Sequence, residues 1–132
     1  MKNNKRLIFI IITITAGIFI GSCSASGSPV ITMEKYLKAL ADKDEISAVN
    51  ISCADWEEQA LAEGASFKTV EVSLENLICE VDRETEDTAY VSCSGKYIFS
   101  YDAGEDQELD LAGRVFKVTK ESGEWLMCGY GD

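Results

Sequence analysis

The period of the apolar residues changes once along this chain, near Thr69, and that change restricts the fold more than any other feature. Before it, Val30, Met33, Leu37, Leu40 and Ala41 recur at helical spacing, with Glu34, Lys35 and Lys38 between them. After it, Val70, Val72 and Leu74 alternate with Thr69, Glu71, Ser73 and Glu75, which is the period of a strand with one buried face. Helices first and antiparallel strands after them define an α+β pattern.

The helical half divides into three. Ser28-Pro29 reads as an N-cap followed by a proline in the first turn. Asp42-Lys43-Asp44 ends the first helix, and Asp44 caps a short second one built on Ile46 and Val49. Ser52 and Asp55 have capping-box spacing with the shorter acid, which predicts a third helix over about Cys53 to Glu63 closed by Gly64 at C′.

In the strand half the apolar phase flips after Glu75, so that Leu77, Cys79 and Val81 become the inward set. One extra residue near Glu75-Asn76 produces such a flip, which predicts a β-bulge there. Asp82 to Asp87 reads as a charged turn. The second strand places Ala89, Val91, Cys93, Gly95, Tyr97, Phe99 and Tyr101 on one face. A third strand is expected from about Leu109 to Lys120, with a phase change at Gly113, and a last one over Glu124 to Tyr130. The expected architecture is N-terminal helices packed on a strongly curved four-stranded antiparallel meander sheet.

Residues 1 to 22 stand apart from this domain. A short basic stretch, Met1 to Arg6, precedes 14 uncharged and mostly apolar residues, Leu7 to Ile20. That is the length of a signal-peptide core and short of the roughly 20 residues a spanning helix needs. The run ends in Ile20-Gly21-Ser22-Cys23, which resembles the lipobox of bacterial lipoproteins. The resemblance implies cleavage before Cys23 and a diacylglycerol on its thiol. Residues 23 to 28 then form a lipidated tether and 29 to 132 the domain. Buried acyl CH2 groups hold such a protein without a transmembrane helix. The expected location is the bacterial cell membrane, lipid-anchored on its extracytoplasmic side.

Loss of residues 1 to 22 removes Lys2, Lys5 and Arg6 from 12 basic residues and none of the 23 acidic ones, which takes the net charge from −11 to −14. Such acidity argues against nucleic acid, whose phosphates need a basic footprint. It also repels the domain from an anionic bilayer, so the membrane partner is reached through the lipid at Cys23. The chain has no histidine. That removes Ser-His-Asp and Cys-His catalysis and every His-ligated metal site.

Four cysteines remain beside Cys23: Cys53, Cys79, Cys93 and Cys128. An even number in an exported chain reads as two disulfides, and no CxxC pair suggests metal. Cys79 and Cys93 are equidistant from the turn near residue 86 and so face each other across the first hairpin. Cys128 falls opposite about Phe116, two strands from Cys93. Two strand spacings are about 10 Å, whereas a disulfide needs Cα atoms within about 7 Å. The meander therefore selects Cys79–Cys93 with Cys53–Cys128.

The order of elements resembles the cystatin-like α+β cone of the nuclear transport factor two-like superfamily, and small exported lipoproteins within it. Met33 to Asp44 (MEKYLKALADKD) is similar to the first helix of that group. Phe67-Lys68 is similar to its entry into the sheet, and Val115 to Trp125 (VFKVTKESGEW) to its closing hairpin. The resemblance covers residues 29 to 132 and implies a cone whose cavity serves enzymes, binders and adaptors alike. Isomerases and dehydratases of the superfamily use Asp, Tyr or His there.

Trp56, Tyr97, Phe99 and Tyr101 are the candidates to line such a cavity, with Asp102 directly after. An Asp–Tyr pair is a minimal set for proton transfer beside a carbonyl. The simpler account of the rings is that they fill the cone as core. No complete acid–base set is present, so no catalytic residue is assigned and no cofactor is expected. The acidic stretches 82 to 87 and 101 to 108 lack EF-hand spacing and read as solvated turns, so no metal is assigned either. The expected function is a membrane-tethered, non-catalytic binding or interaction module. A small apolar ligand binder is the first alternative, and an isomerase- or dehydratase-like enzyme the second.

Overall fold

A computed structural model describes residues 27 to 132. The signal-peptide assignment for 1 to 22, the lipid site at Cys23 and most of the tether lie outside the described residues. Three helices and a short 3-10 turn precede an antiparallel sheet, as the change of period requires. They are α1 (Pro29–Ala41), α2 (Glu45–Asn50), α3 (Glu57–Phe67), β1 (Glu71–Glu84), β2 (Thr88–Ser100), β3 (Gln107–Asp110), β4 (Arg114–Glu121) and β5 (Glu124–Tyr130). The sheet runs β1-β2-β4-β5, with β3 beside β2 beyond the end of β4.

Local chemistry sets the helix boundaries. Ser28 Oγ accepts from Ile31 N at 3.1 Å, and Pro29 occupies the first helical position, where its missing N–H costs nothing. The helix stops because Lys43 turns left-handed, at φ 60. Asp44 then caps α2 by accepting from Ser47 N at 3.0 Å and from Ser47 Oγ at 2.6 Å. The third helix differs from expectation. Ser52 does not cap it, because its hydroxyl donates back to Ala48 O at 2.8 Å. A 3-10 turn, Ala54–Trp56, comes first, and α3 runs on past Gly64 to Phe67. Gly64 is therefore not a C′ residue. It is buried against α2, where an added Cβ would meet Glu45 Cγ at 2.7 Å.

The bulge falls where the phase flips. The β1–β2 register shifts between Glu75 and Ile78, with Asn76 at φ 53. Opposite it stands Gly95 at φ 111, where a Cβ would lie 2.6 Å from Glu75 O. Only glycine fits this approach. The charged turn is tighter than expected: strand pairing continues to Glu84↔Ala89, and only Thr85 to Asp87 lie outside the strands.

The expected third strand is two strands. Gly113 adopts φ 79, and the chain turns through Leu111 to Gly113, closed by Arg114 N donating to Leu111 O at 3.0 Å. Both halves pair with β2, β3 against Lys96 to Phe99 and β4 against Thr88 to Cys93. The break carries Leu111 into the interior, where it is 2% exposed.

Both expected disulfides are present, Cys79–Cys93 and Cys53–Cys128. The register behind the second is corrected. Phe116 pairs with Tyr130, and Cys128 lies at an irregularity between Lys117↔Gly129 and Val118↔Met127. The bond joins β5 to the entry of the 3-10 turn. Beside it Cys53 N donates to Met127 O at 2.9 Å and Met127 N to Ile51 O at 2.8 Å. A parallel Ser52↔Met127 bridge completes the seam.

The core lies between α1 and the sheet. Met33, Val91, Val118 and Met127 are all fully buried. Each such side chain contributes about 1.5–3 kcal/mol relative to exposure. Thr32 Oγ1 donates to Trp125 O at 3.0 Å and fixes the start of α1 on the last strand.

Candidate functional site

Towards the other end of α1 the packing opens. A cavity of about 140 Å³ lies between α1, α3 and the sheet. Leu37, Leu40, Leu109 and Leu111 form much of its wall, with the rings of Tyr36, Phe67, Tyr97, Phe116 and Tyr130. Glu63 and Arg114 are the charged residues among those lining it. The split between β3 and β4 shapes this end, because it sends Leu111 inward and starts β4 with Arg114 on the same face as Phe116.

Three elements meet at Glu63. Tyr36 of α1 donates its hydroxyl to Glu63 Oε2 at 2.7 Å, and Tyr130 at the end of β5 donates to Oε1 at 2.8 Å. Gln59, one turn earlier on α3, donates to Oε1 at 3.4 Å. Behind Tyr36 the indole of Trp56 donates to its oxygen at 3.1 Å, and the Trp56 ring meets Tyr130 edge-on at 5.4 Å. Deeper in, Tyr97 donates to Leu37 O at 2.7 Å.

The three phenols are held protonated. Burial pushes Tyr36 up from the ordinary value of 10.0, and the hydrogen bond and charge of Glu63 add to it. Tyr97 is raised mainly by burial and then by the charge of Glu63. Tyr130 is raised by burial and by its bond to Glu63, while the positive charge of Arg114 works in the opposite direction. All three hydroxyl protons are committed, two to Glu63 and one to the Leu37 carbonyl.

Of the four residues singled out from sequence, Tyr97 lines the cavity. Trp56 stands behind Tyr36 and Tyr130 and braces them. Phe99 lies one layer away, packed on Phe67 at 5.2 Å. Tyr101 is not in the cavity, because β2 ends at Ser100 and the tyrosine is 47% exposed in the following turn. Asp102 goes with it, so the Asp–Tyr pair is not assembled. Glu63, Tyr36 and Tyr130 are not legible as a site in the sequence. The nearest signal is Tyr36 itself, a half-polar ring on the buried stripe of α1.

One group of metal-type side chains lies together among the described residues: Cys53, Glu121 and Cys128, with ligand atoms within 4.8 Å of one another. The two sulfurs are bonded to each other, so neither is a thiolate ligand. No helix among the described residues is long and apolar enough to cross a membrane.

No protein-family model and no curated protein matches the chain. Solved structures do. A ketosteroid isomerase-like protein from Erwinia carotovora atroseptica superposes with a TM-score of 0.60 at 16% identity, over 80% of this chain and 95% of that one. A candidate ketosteroid isomerase from Shewanella frigidimarina gives 0.53 at 14% identity, over 77% and 92%. A candidate scytalone dehydratase from Novosphingobium aromaticivorans gives 0.51 at 16% identity, over 74% of each chain. The fold is thus the curved-sheet α+β architecture that these solved structures share. Identities this low speak to the fold alone.

Proposed function

We propose that this chain is a lipid-tethered, extracytoplasmic, non-catalytic module that holds a small, largely apolar ligand in the cavity beside Glu63. The observation that carries the non-catalytic reading is the commitment of the three tyrosine protons. Proton transfer beside a carbonyl needs a base and a donor aimed at the developing oxyanion. Here Tyr36 and Tyr130 donate to the cavity's one carboxylate and Tyr97 to a backbone carbonyl, so no tyrosine hydroxyl is free to serve as that donor. An aromatic and aliphatic enclosure is left for a ligand. Apolar cavities of about 150 Å³ accept benzene-sized guests, and this one is about 140 Å³.

Titration with benzyl alcohol, followed by amide and side-chain NMR shifts, tests this. Shifts are expected at Tyr36, Leu109, Leu111 and Phe116, and are expected to vanish in a cavity-filling Leu109→Trp variant that keeps its melting temperature. A protein whose cavity resonances stay still up to saturating probe is not a ligand binder of this kind. The tether has a separate test. The native chain is expected in the detergent phase with a diacylglyceryl mass on Cys23, and Cys23→Ala in the aqueous phase. An unmodified Cys23 refutes it.

A further inference from the structure

The cavity's rim carries one charge of each sign, and only one of them is fixed. Glu63 is pinned from two sides by Tyr36 and Tyr130. Its two oxygens together offer about four lone-pair sites; Tyr130 and Gln59 take those of Oε1 and Tyr36 takes one of Oε2, which leaves one on Oε2 to accept from a ligand. Arg114 makes no ion pair or side-chain hydrogen bond among the described residues, and it lies exposed at the start of β4.

We infer that the cavity selects a small organic cation: a primary ammonium group on a compact apolar body of about benzyl size. The inference rests on the ligand-binding reading above and names the class of ligand. An ammonium has three donors and no acceptor, which matches a carboxylate whose remaining lone pair can only accept. Its hydrogen bond to Glu63 is charge-assisted, about twice as strong as a neutral one. The wall next to that carboxylate is aromatic on several sides, with Tyr36, Phe67, Tyr97, Phe116 and Tyr130. Ring faces attract a desolvated cation. Beyond the site, the charge of −14 carried by residues 23 to 132 concentrates cations and depletes anions near the surface.

Arg114 is the one opposing element. Its positive charge lines the same cavity and repels an incoming cation, so it weakens the hold on an amine. A carboxylate ligand would use the same residues with the signs reversed, seeking Arg114 and avoiding Glu63. The two cases predict opposite responses to one substitution.

The experiment compares benzylamine, benzyl alcohol and benzoate, which share a body and differ in head group. Dissociation constants are measured by NMR titration at low ionic strength on the folded domain. Benzylamine is expected to bind about tenfold more tightly than benzyl alcohol, the equivalent of one charge-assisted hydrogen bond. Glu63→Gln is expected to erase that difference, so that benzylamine and benzyl alcohol bind alike. Arg114→Gln, which leaves the tyrosine network intact, is expected to tighten benzylamine several-fold. Equal binding of benzylamine and benzyl alcohol, or tightest binding of benzoate that Arg114→Gln weakens, overturns the cation inference and leaves the ligand-binding reading standing. Failure of all three probes overturns both.

Discussion

The two ends of the cone are built from different materials. At one end Met33, Val118 and Met127 are fully buried, a backbone seam joins Cys53 to Met127, and a disulfide closes over it. At the other, the packing stops short around about 140 Å³, and the groups that meet are hydroxyls, a carboxylate and ring edges. The first end is held by burial and covalent closure. The second is held by directional bonds around the cavity. The contrast teaches that this fold concentrates its apolar packing where α1 starts against the last strand and its polar chemistry around the cavity.

The sharpest way to break the contrast is to hollow the packed end. Met127→Ala is expected to cost about 2–5 kcal/mol of unfolding free energy, the usual range for a buried large-to-small change. Chemical denaturation measures it. The disulfides come next. By loop entropy the Cys53–Cys128 bond, spanning 75 residues, contributes about 4 kcal/mol and the Cys79–Cys93 bond, spanning 14, about 3. The Cys53→Ala/Cys128→Ala pair is therefore expected to lower the melting temperature more than the Cys79→Ala/Cys93→Ala pair.

At the open end the effects are smaller. Tyr97→Phe removes the bond to Leu37 O, for about 1 kcal/mol. That end also carries an alkaline limit. The folded-state values of Tyr36, Tyr97 and Tyr130 all lie above the unfolded phenol value of 10.0. The folded state then holds more protons than the unfolded one above that pH. The stabilisation is complete below about pH 10 and is lost as pH rises further. Stability measured from pH 9 to 12 is expected to fall, and to fall less in Tyr97→Phe. The smallest effect belongs to neither end. Lys68 pairs with Glu45 at 2.9 Å on the surface, and Lys68→Ala is expected to change stability by under about 0.5 kcal/mol.

Much of the frame is legible in the sequence because it rests on local rules. Ser28 caps α1 and Asp44 caps α2, the phase flip at Glu75 marks the bulge, and the symmetry of the first hairpin sets Cys79 against Cys93. The reading fails where tertiary contact overrides a local rule. Gly64 reads as a helix end, yet its lack of a side chain lets α3 pass close to Glu45. Tyr101 continues the alternation of β2 by one position, but β2 has already ended. Gly113 reads as a phase change and not as a break, because both halves of the segment find the same partner in β2. The site itself is hardly legible. Glu63 is one acid among 23, set on a helix face like any solvated residue. Its role depends on two phenols that are 27 and 67 residues away in the chain.

The bulge at Asn76 and the glycine opposite it turn one disulfide into a gauge of register. Gly95 is the residue in β2 that tolerates the close approach of Glu75 and Asn76, so the bulge has one place to sit. A hairpin slipped by one residue sets Cys79 against Ser92 or Ser94, with its sulfur on the opposite face from Cys93. Such a chain cannot close the bond. Counting unreacted thiols after oxidative refolding therefore reads out, chemically and chain by chain, what fraction has zipped in the correct alignment.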